Sequence, residues 1–133
     1  MSVQSTRAAV QKYLDSNHED LSVMADDVVF TDMNSGQEHR GPDAVRGMLH
    51  YIYHVAFDAH AENANVVVDE GRAVLEAWFI GTHTGEFAGI PATGRSVRVP
   101  LCVVYDVKDD RISRGRVYMA VGAMMQQLNA ANG

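Results

Sequence analysis

From Ala61 to Ala120 the sequence reads as four extended segments in a row, and that run constrains the fold more than any other feature. Ala61 to Asp69 is valine-rich and ends at the turn pair Glu70-Gly71. Arg72 to His83 is a longer segment, Arg95 to Val107 another, and Arg111 to Ala120 the last, joined to its predecessor by Lys108-Asp109-Asp110. β-Branched and aromatic residues bounded by turn formers fit a pleated, half-buried surface. Strands linked by tight turns pair as antiparallel neighbours. The glycine-rich stretch from Gly85 to Gly94 is the one long connection among them.

The first half reads differently. Val3, Ala8, Val10, Tyr13 and Leu14 recur near the helical period, so about Ser2 to Asn17 is expected to be a helix. A second short helix is expected from His18 to Met24, then a strand over Val28 to Thr31 and a polar loop from Met33 to Arg40. Gly41, Pro42 and Asp43 are helix-start signals, and that helix is expected to run through Val45, Met48, Leu49, Ile52 and Tyr53 to about Phe57. Val121 to Leu128 has room for a last helical turn or two, with fraying beyond. Helices followed by hairpins predict one α+β domain over residues 1–133. Its expected form is a cone: a curved antiparallel sheet with helices on its concave side around an apolar pocket.

Composition removes several classes of function. A net charge of -6 does not suit phosphate backbones, so no nucleic-acid partner is expected. No apolar run approaches the roughly 20 residues that span a bilayer, so no membrane partner is expected. The opening residues Met1 to Val10 lack a signal-peptide pattern. With one cysteine, Cys102, the chain has no internal disulfide and no cysteine zinc cluster, and a cytoplasmic location is expected. Trp78, Phe79 and Ile80 form an apolar run in a strand, which predicts a second subunit on the outer sheet face and hence a homodimer.

The stretch Gly81-Thr82-His83-Thr84-Gly85-Glu86-Phe87-Ala88-Gly89-Ile90-Pro91-Ala92-Thr93-Gly94-Arg95 resembles the signature loop of SnoaL-like polyketide cyclases. Met124-Met125-Gln126-Gln127-Leu128 is similar to that family's C-terminus, and Ala56-Phe57-Asp58 to the close of its long helix. The resemblance implies the cone shared with ketosteroid isomerase and nuclear transport factor 2, and cofactor-free acid/base chemistry on a small hydrophobic molecule. Ala9 to Tyr13 and Ala25 to Asp32 resemble the opening of ketosteroid isomerase. That likeness implies Asp32 as the group that moves a proton and Tyr13 as the donor to a developing oxyanion. The isomerase's third position, a neutral acid, falls on Cys102, a weak donor. The cyclases' acid/base aspartate falls on Ala120, which cannot carry a proton, and their tryptophan on Arg116. A non-catalytic binding or assembly domain is therefore the alternative reading.

The remaining candidates follow from spacing. Arg116, Tyr118 and Ala120 share one strand face, from which Arg116 could pair with an acidic ligand or with Asp32. His50 and His54 share a helix face, but no third ligand accompanies them, so no metal is expected and His54 is read as a residue at the pocket mouth. Asp58, at the helix end, is a candidate ligand contact. His83 is either a substrate contact or the residue that fixes its own loop by hydrogen bonding.

Overall fold

The computed structural model describes residues 2–16 and 19–129. Helix α1 (Val3–Asp15) starts at Ser2, whose side chain accepts from the Ser5 N–H while the Ser5 hydroxyl accepts from the Ser2 N–H. This reciprocal cap satisfies two donors that the first turn leaves open. The second expected helix shrinks to one 3-10 turn, Leu21–Val23, because Met24 already begins strand β1 (Met24–Asp32). The proposed start of that helix at His18, and the expected fraying after residue 129, lie outside the described residues.

Glu38–Arg40, read from sequence as loop, is strand β2. Helix α2 (Pro42–His50) follows, then a wide π-type turn, Tyr51–Ala56. Strands β3 (Phe57–Asp69), β4 (Arg72–His83), β5 (Ser96–Lys108) and β6 (Arg111–Met119) come next, and helix α3 (Val121–Asn129) closes the described chain. The strands form one curved, open sheet in the order β2-β1-β6-β5-β4-β3. Four of its strand pairs are antiparallel, whereas β1 runs parallel to β6, so the sheet is mixed.

Alternation decides which side chains are enclosed. Ala73, Leu75, Ala77 and Phe79 of β4 and Val97, Val99, Leu101, Val103, Tyr105 and Val107 of β5 all point to the concave side and are buried. Helix α1 closes that side with Ala9, Val10, Tyr13 and Leu14. Trp78 and Ile80 face outward while Phe79 between them is fully buried, so the apolar run divides between two faces.

The wide turn after α2 is locked in place by the loop that follows β4. The Thr84 and Gly85 N–H groups both donate to the Ala56 carbonyl at 3.0 Å, and the Thr84 hydroxyl donates to the Val55 carbonyl at 3.1 Å. Only glycine fits at position 85, since a Cβ there would meet the Val55 oxygen at 2.4 Å. Widening of a helical turn releases carbonyls for such outside donors.

Candidate active site

A cavity of about 480 Å³ lies between the concave sheet face and the helices. Its floor holds two almost wholly buried phenols, Tyr13 from α1 and Tyr105 from β5, with ring centroids 6.0 Å apart at an interplanar angle of 74°. Tyr53, from the wide turn, adds a third phenol. Burial raises the pKa of all three; Tyr105 and Tyr53 add to the shift of Tyr13, Tyr53 and Cys102 add to that of Tyr105, and Tyr53 is pushed up to about 12. These hydroxyls therefore stay protonated near neutral pH and can donate to an oxygen.

Apolar side chains make up most of the wall, among them Leu49, Ile52, Leu75, Leu101, Val103 and Val117. Tyr51, Ile52 and Tyr53 are consecutive, yet all three line the cavity. At the mouth stand Asn34, Gln37 and Tyr51, each exposed, and Phe87 from the loop. The Tyr51 hydroxyl donates to the Glu86 carbonyl, which ties that loop across one side of the opening.

Asp32 enters the wall from the end of β1, half-buried. The hairpin around it is fixed at several points. The Asp32 N–H donates to the Gln37 carbonyl at 2.9 Å, and Met33 N–H to the Val117 carbonyl at 2.9 Å. One carboxylate oxygen of Asp32 accepts from the Asn34 N–H at 2.9 Å, and the Asn34 amide donates to the Met119 carbonyl at 3.0 Å. Gly115 lets Phe30 lie flat beside β6, because a Cβ there would stand 2.7 Å from the Phe30 ring.

Of the residues singled out from sequence, Tyr13 and Asp32 are the two that meet in this cavity. The other expected contacts are elsewhere. Cys102 and Tyr118, opposite each other on β5 and β6, face the outer side with Glu76, and burial followed by Glu76 raises the Cys102 thiol. Arg116 pairs with Asp106, not Asp32, through two hydrogen bonds of 3.0 Å. Ala120 also lines the outer-face hollow. Asp58 is opposite Thr82, away from the cavity. His54 lines a separate groove with His50, His60 and Arg46, on the far side of Leu49 and Tyr53. The strand face that Tyr118 and Ala120 share with Arg116 is thus the outer one. Both faces of β5 and β6 carry apolar side chains, so alternation alone did not say which faced inward.

His83 is fully buried and holds its loop, the second of the two roles read for it. Its Nδ1 accepts from the Thr93 N–H at 3.2 Å and lies 2.9 Å from the Thr93 hydroxyl, while its ring packs 5.1 Å from Phe57. Among the described residues no group of three or more His, Cys, Asp or Glu is placed to hold a metal. The sequence reading missed His39, which lines the cavity from β2. Its only signal was a lone histidine in a polar stretch, and three residues carry no periodicity to reveal a strand.

The Asp106 cluster gives a testable pH dependence. Hydrogen bonds from Arg116, then its charge and those of Arg72, hold the Asp106 carboxyl below its ordinary value of 3.8. A carboxyl lowered on folding stabilises the fold above its unfolded pKa, and that contribution is lost as pH falls through the folded value. Asp106→Asn is therefore expected to lower the urea midpoint at pH 7, with the deficit shrinking below about pH 4. An equal deficit at pH 7 and pH 3 would contradict this account of Asp106.

A six-stranded open cone with helices over a pocket is the nuclear transport factor 2-like architecture. Within it the sequence is specific: the model of the SnoaL-like polyketide cyclases matches residues 7–128, and the chain belongs to that family. A solved structure from Jannaschia sp. CCS1 that carries the same family description superposes with a TM-score of 0.84 at 19% identity, covering 96% of this chain and 94% of that one. A polyketide cyclase candidate from Xanthomonas campestris pv. campestris gives 0.82 at 23% identity, with 95% and 98% covered. An LEH-like epoxide hydrolase from M. tuberculosis gives 0.71 at 19%, with 96% and 92% covered. At such identities the likeness shows the fold alone. No protein with a curated description matches the sequence significantly.

Proposed function

We propose that this chain is a cofactor-independent acid/base catalyst that moves a proton next to the carbonyl of a small, uncharged hydrophobic compound, as an isomerase or cyclase. Asp32 acts as the base and Tyr13 donates to the developing oxyanion. One observation carries the reading: a carboxylate and a floor of protonated phenols share a mostly apolar cavity. A carboxylate held beside a bound substrate can accept its proton, and fixed donors stabilise charge on oxygen. Among the described residues no Lys or Arg lines the cavity, so an anionic ligand would meet Asp32 without a countercharge from them. The family and the names of its structural neighbours support a polyketide-like ring compound as substrate.

The test uses 1-tetralone, a bicyclic ketone, in D₂O. The protein is expected to accelerate loss of the α-proton signal by NMR above the buffer rate. Exchange no faster than buffer would sink the catalytic reading. It would favour the second reading, a binding domain without chemistry, which the alanine at position 120 supports.

The working form is read as a cytoplasmic homodimer joined through the outer sheet face. Val67 (64% exposed) and Tyr118 (44%) flank Val74, Trp78, Ile80 and Val104 there. Glu62, Glu76 and Arg98 are exposed on the same face, which gives a two-fold contact charges of both signs. Sedimentation at high micromolar concentration is expected to show a dimer, and Trp78→Glu a monomer. A wild-type monomer under those conditions would refute the dimer. Among the described residues no helix is long and apolar enough to cross a membrane.

A further inference from the structure

We infer that His39 is the general acid that works with Asp32 in this cavity, the proton donor that Ala120 cannot be. The inference rests on the catalytic reading above and assigns its second proton carrier. His39 is opposite Phe30 in the β1–β2 register, so its side chain shares a face with Phe30. Asp32 is two residues further along β1 on that same face, and both Asp32 and His39 line the cavity at intermediate depth. The ring of His39 makes no hydrogen bond or ion pair with the described residues, so its nitrogens are open to a ligand.

Elimination supports the geometry. Among the described residues six titratable side chains line the cavity: Tyr13, Asp32, His39, Tyr51, Tyr53 and Tyr105. Tyr13, Tyr53 and Tyr105 are held protonated by burial, and Tyr51 has its hydroxyl committed to the Glu86 carbonyl. These phenols can donate a hydrogen bond without giving up the proton. Asp32, a carboxylate, and His39, an imidazole, are left as the side chains whose chemistry is to accept and pass protons. Beside His39 on β2, Glu38 and Arg40 pair with each other at 2.6 Å.

The step balances with these two groups. The Asp32 carboxylate takes the α-proton, and the C–H electron pair becomes the new C=C bond. The carbonyl π pair moves to oxygen, which takes the proton of the His39 imidazolium. Asp32 ends neutral, His39 ends neutral, and the ligand is an enol. In a cyclisation neutral His39 would take back the enol hydroxyl proton as the enol carbon attacks a second carbonyl, and the imidazolium so formed would give that proton to the new alkoxide.

The 1-tetralone exchange assay tests this. Wild type is expected to show a bell-shaped pH profile, with an alkaline limb from loss of the imidazolium. His39→Gln should lower exchange by about two powers of ten or more and lose the alkaline limb. His39→Ala should be restored in part by added imidazole, which a merely structural role would not allow. Near-UV circular dichroism establishes that both variants are folded. If folded variants exchange at the wild-type rate while Asp32→Asn is inactive, the role of His39 is overturned and the base survives. A retained alkaline limb, or no response of His39→Ala to imidazole, also overturns it. If wild type itself does not exceed buffer, both readings fall together.

Discussion

Replacing Asp32 by asparagine is expected to slow α-proton exchange by about two to four powers of ten, the usual weight of a general base. Binding of 1-tetralone, followed by saturation-transfer NMR, should change little, because the amide keeps the size and shape of the carboxylate. The asymmetry follows from the site. The Asn34 N–H bond at 2.9 Å is made to one oxygen and can be kept by the amide carbonyl, so the hairpin stays in place. What is lost is the lone pair that accepts the proton. Among the described residues no second carboxylate lines the cavity to replace it. Equal exchange by wild type and variant would remove Asp32 from the mechanism.

A second large effect belongs to the core behind the cavity. Phe79→Ala is expected to cost about 3–5 kcal/mol of stability, measured from urea unfolding. Its side chain is fully buried. The ring meets Phe57 edge-on, 5.3 Å between centroids at 90°, and Tyr53 at 5.4 Å. Deleting the ring leaves a void between the start of β3 and the wide turn, two elements whose backbones are already fixed by other hydrogen bonds and cannot collapse inward. Tyr53 would lose its backing, so ligand affinity should fall as well. A loss under about 1 kcal/mol would mean that these elements are free to close on the gap.

The second half of the chain was largely legible because each strand there carries its own evidence. Leu75 to Phe79 and Val97 to Val107 alternate, and Glu70-Gly71 and Asp109-Asp110 mark the turns. Three features were not legible. The helical pattern was read through to Phe57, whereas β3 starts at Phe57 itself, since the turn that interrupts the helix is stabilised by Thr84 and Gly85 from elsewhere in the chain. Strand β2 is short and polar and exists through its pairing with β1. In the site, Tyr13 and Asp32 came from a likeness of sequence, and the structure puts them in one cavity. Cys102 was placed by the same likeness, and Arg116 and Tyr118 by strand parity without knowing which parity was enclosed. Their neighbours Leu101, Val103 and Val117 turned out to be the inward ones.

The parallel pairing of β1 with β6 bears on how the protein is made. Thr31 is held against Arg116 and Asp32 against Val117, partners separated by most of the chain. Contacts of such long sequence separation form late, because a long loop must close before they contribute. During synthesis, the hairpin of β3 and β4 can pair as soon as it leaves the ribosome. Strand β1 must wait, with its apolar Val28, Val29 and Phe30 uncovered, until β6 emerges. The nascent chain therefore carries a sticky segment through most of translation, and a stall before residue 111 would leave a chaperone client rather than a half-built domain.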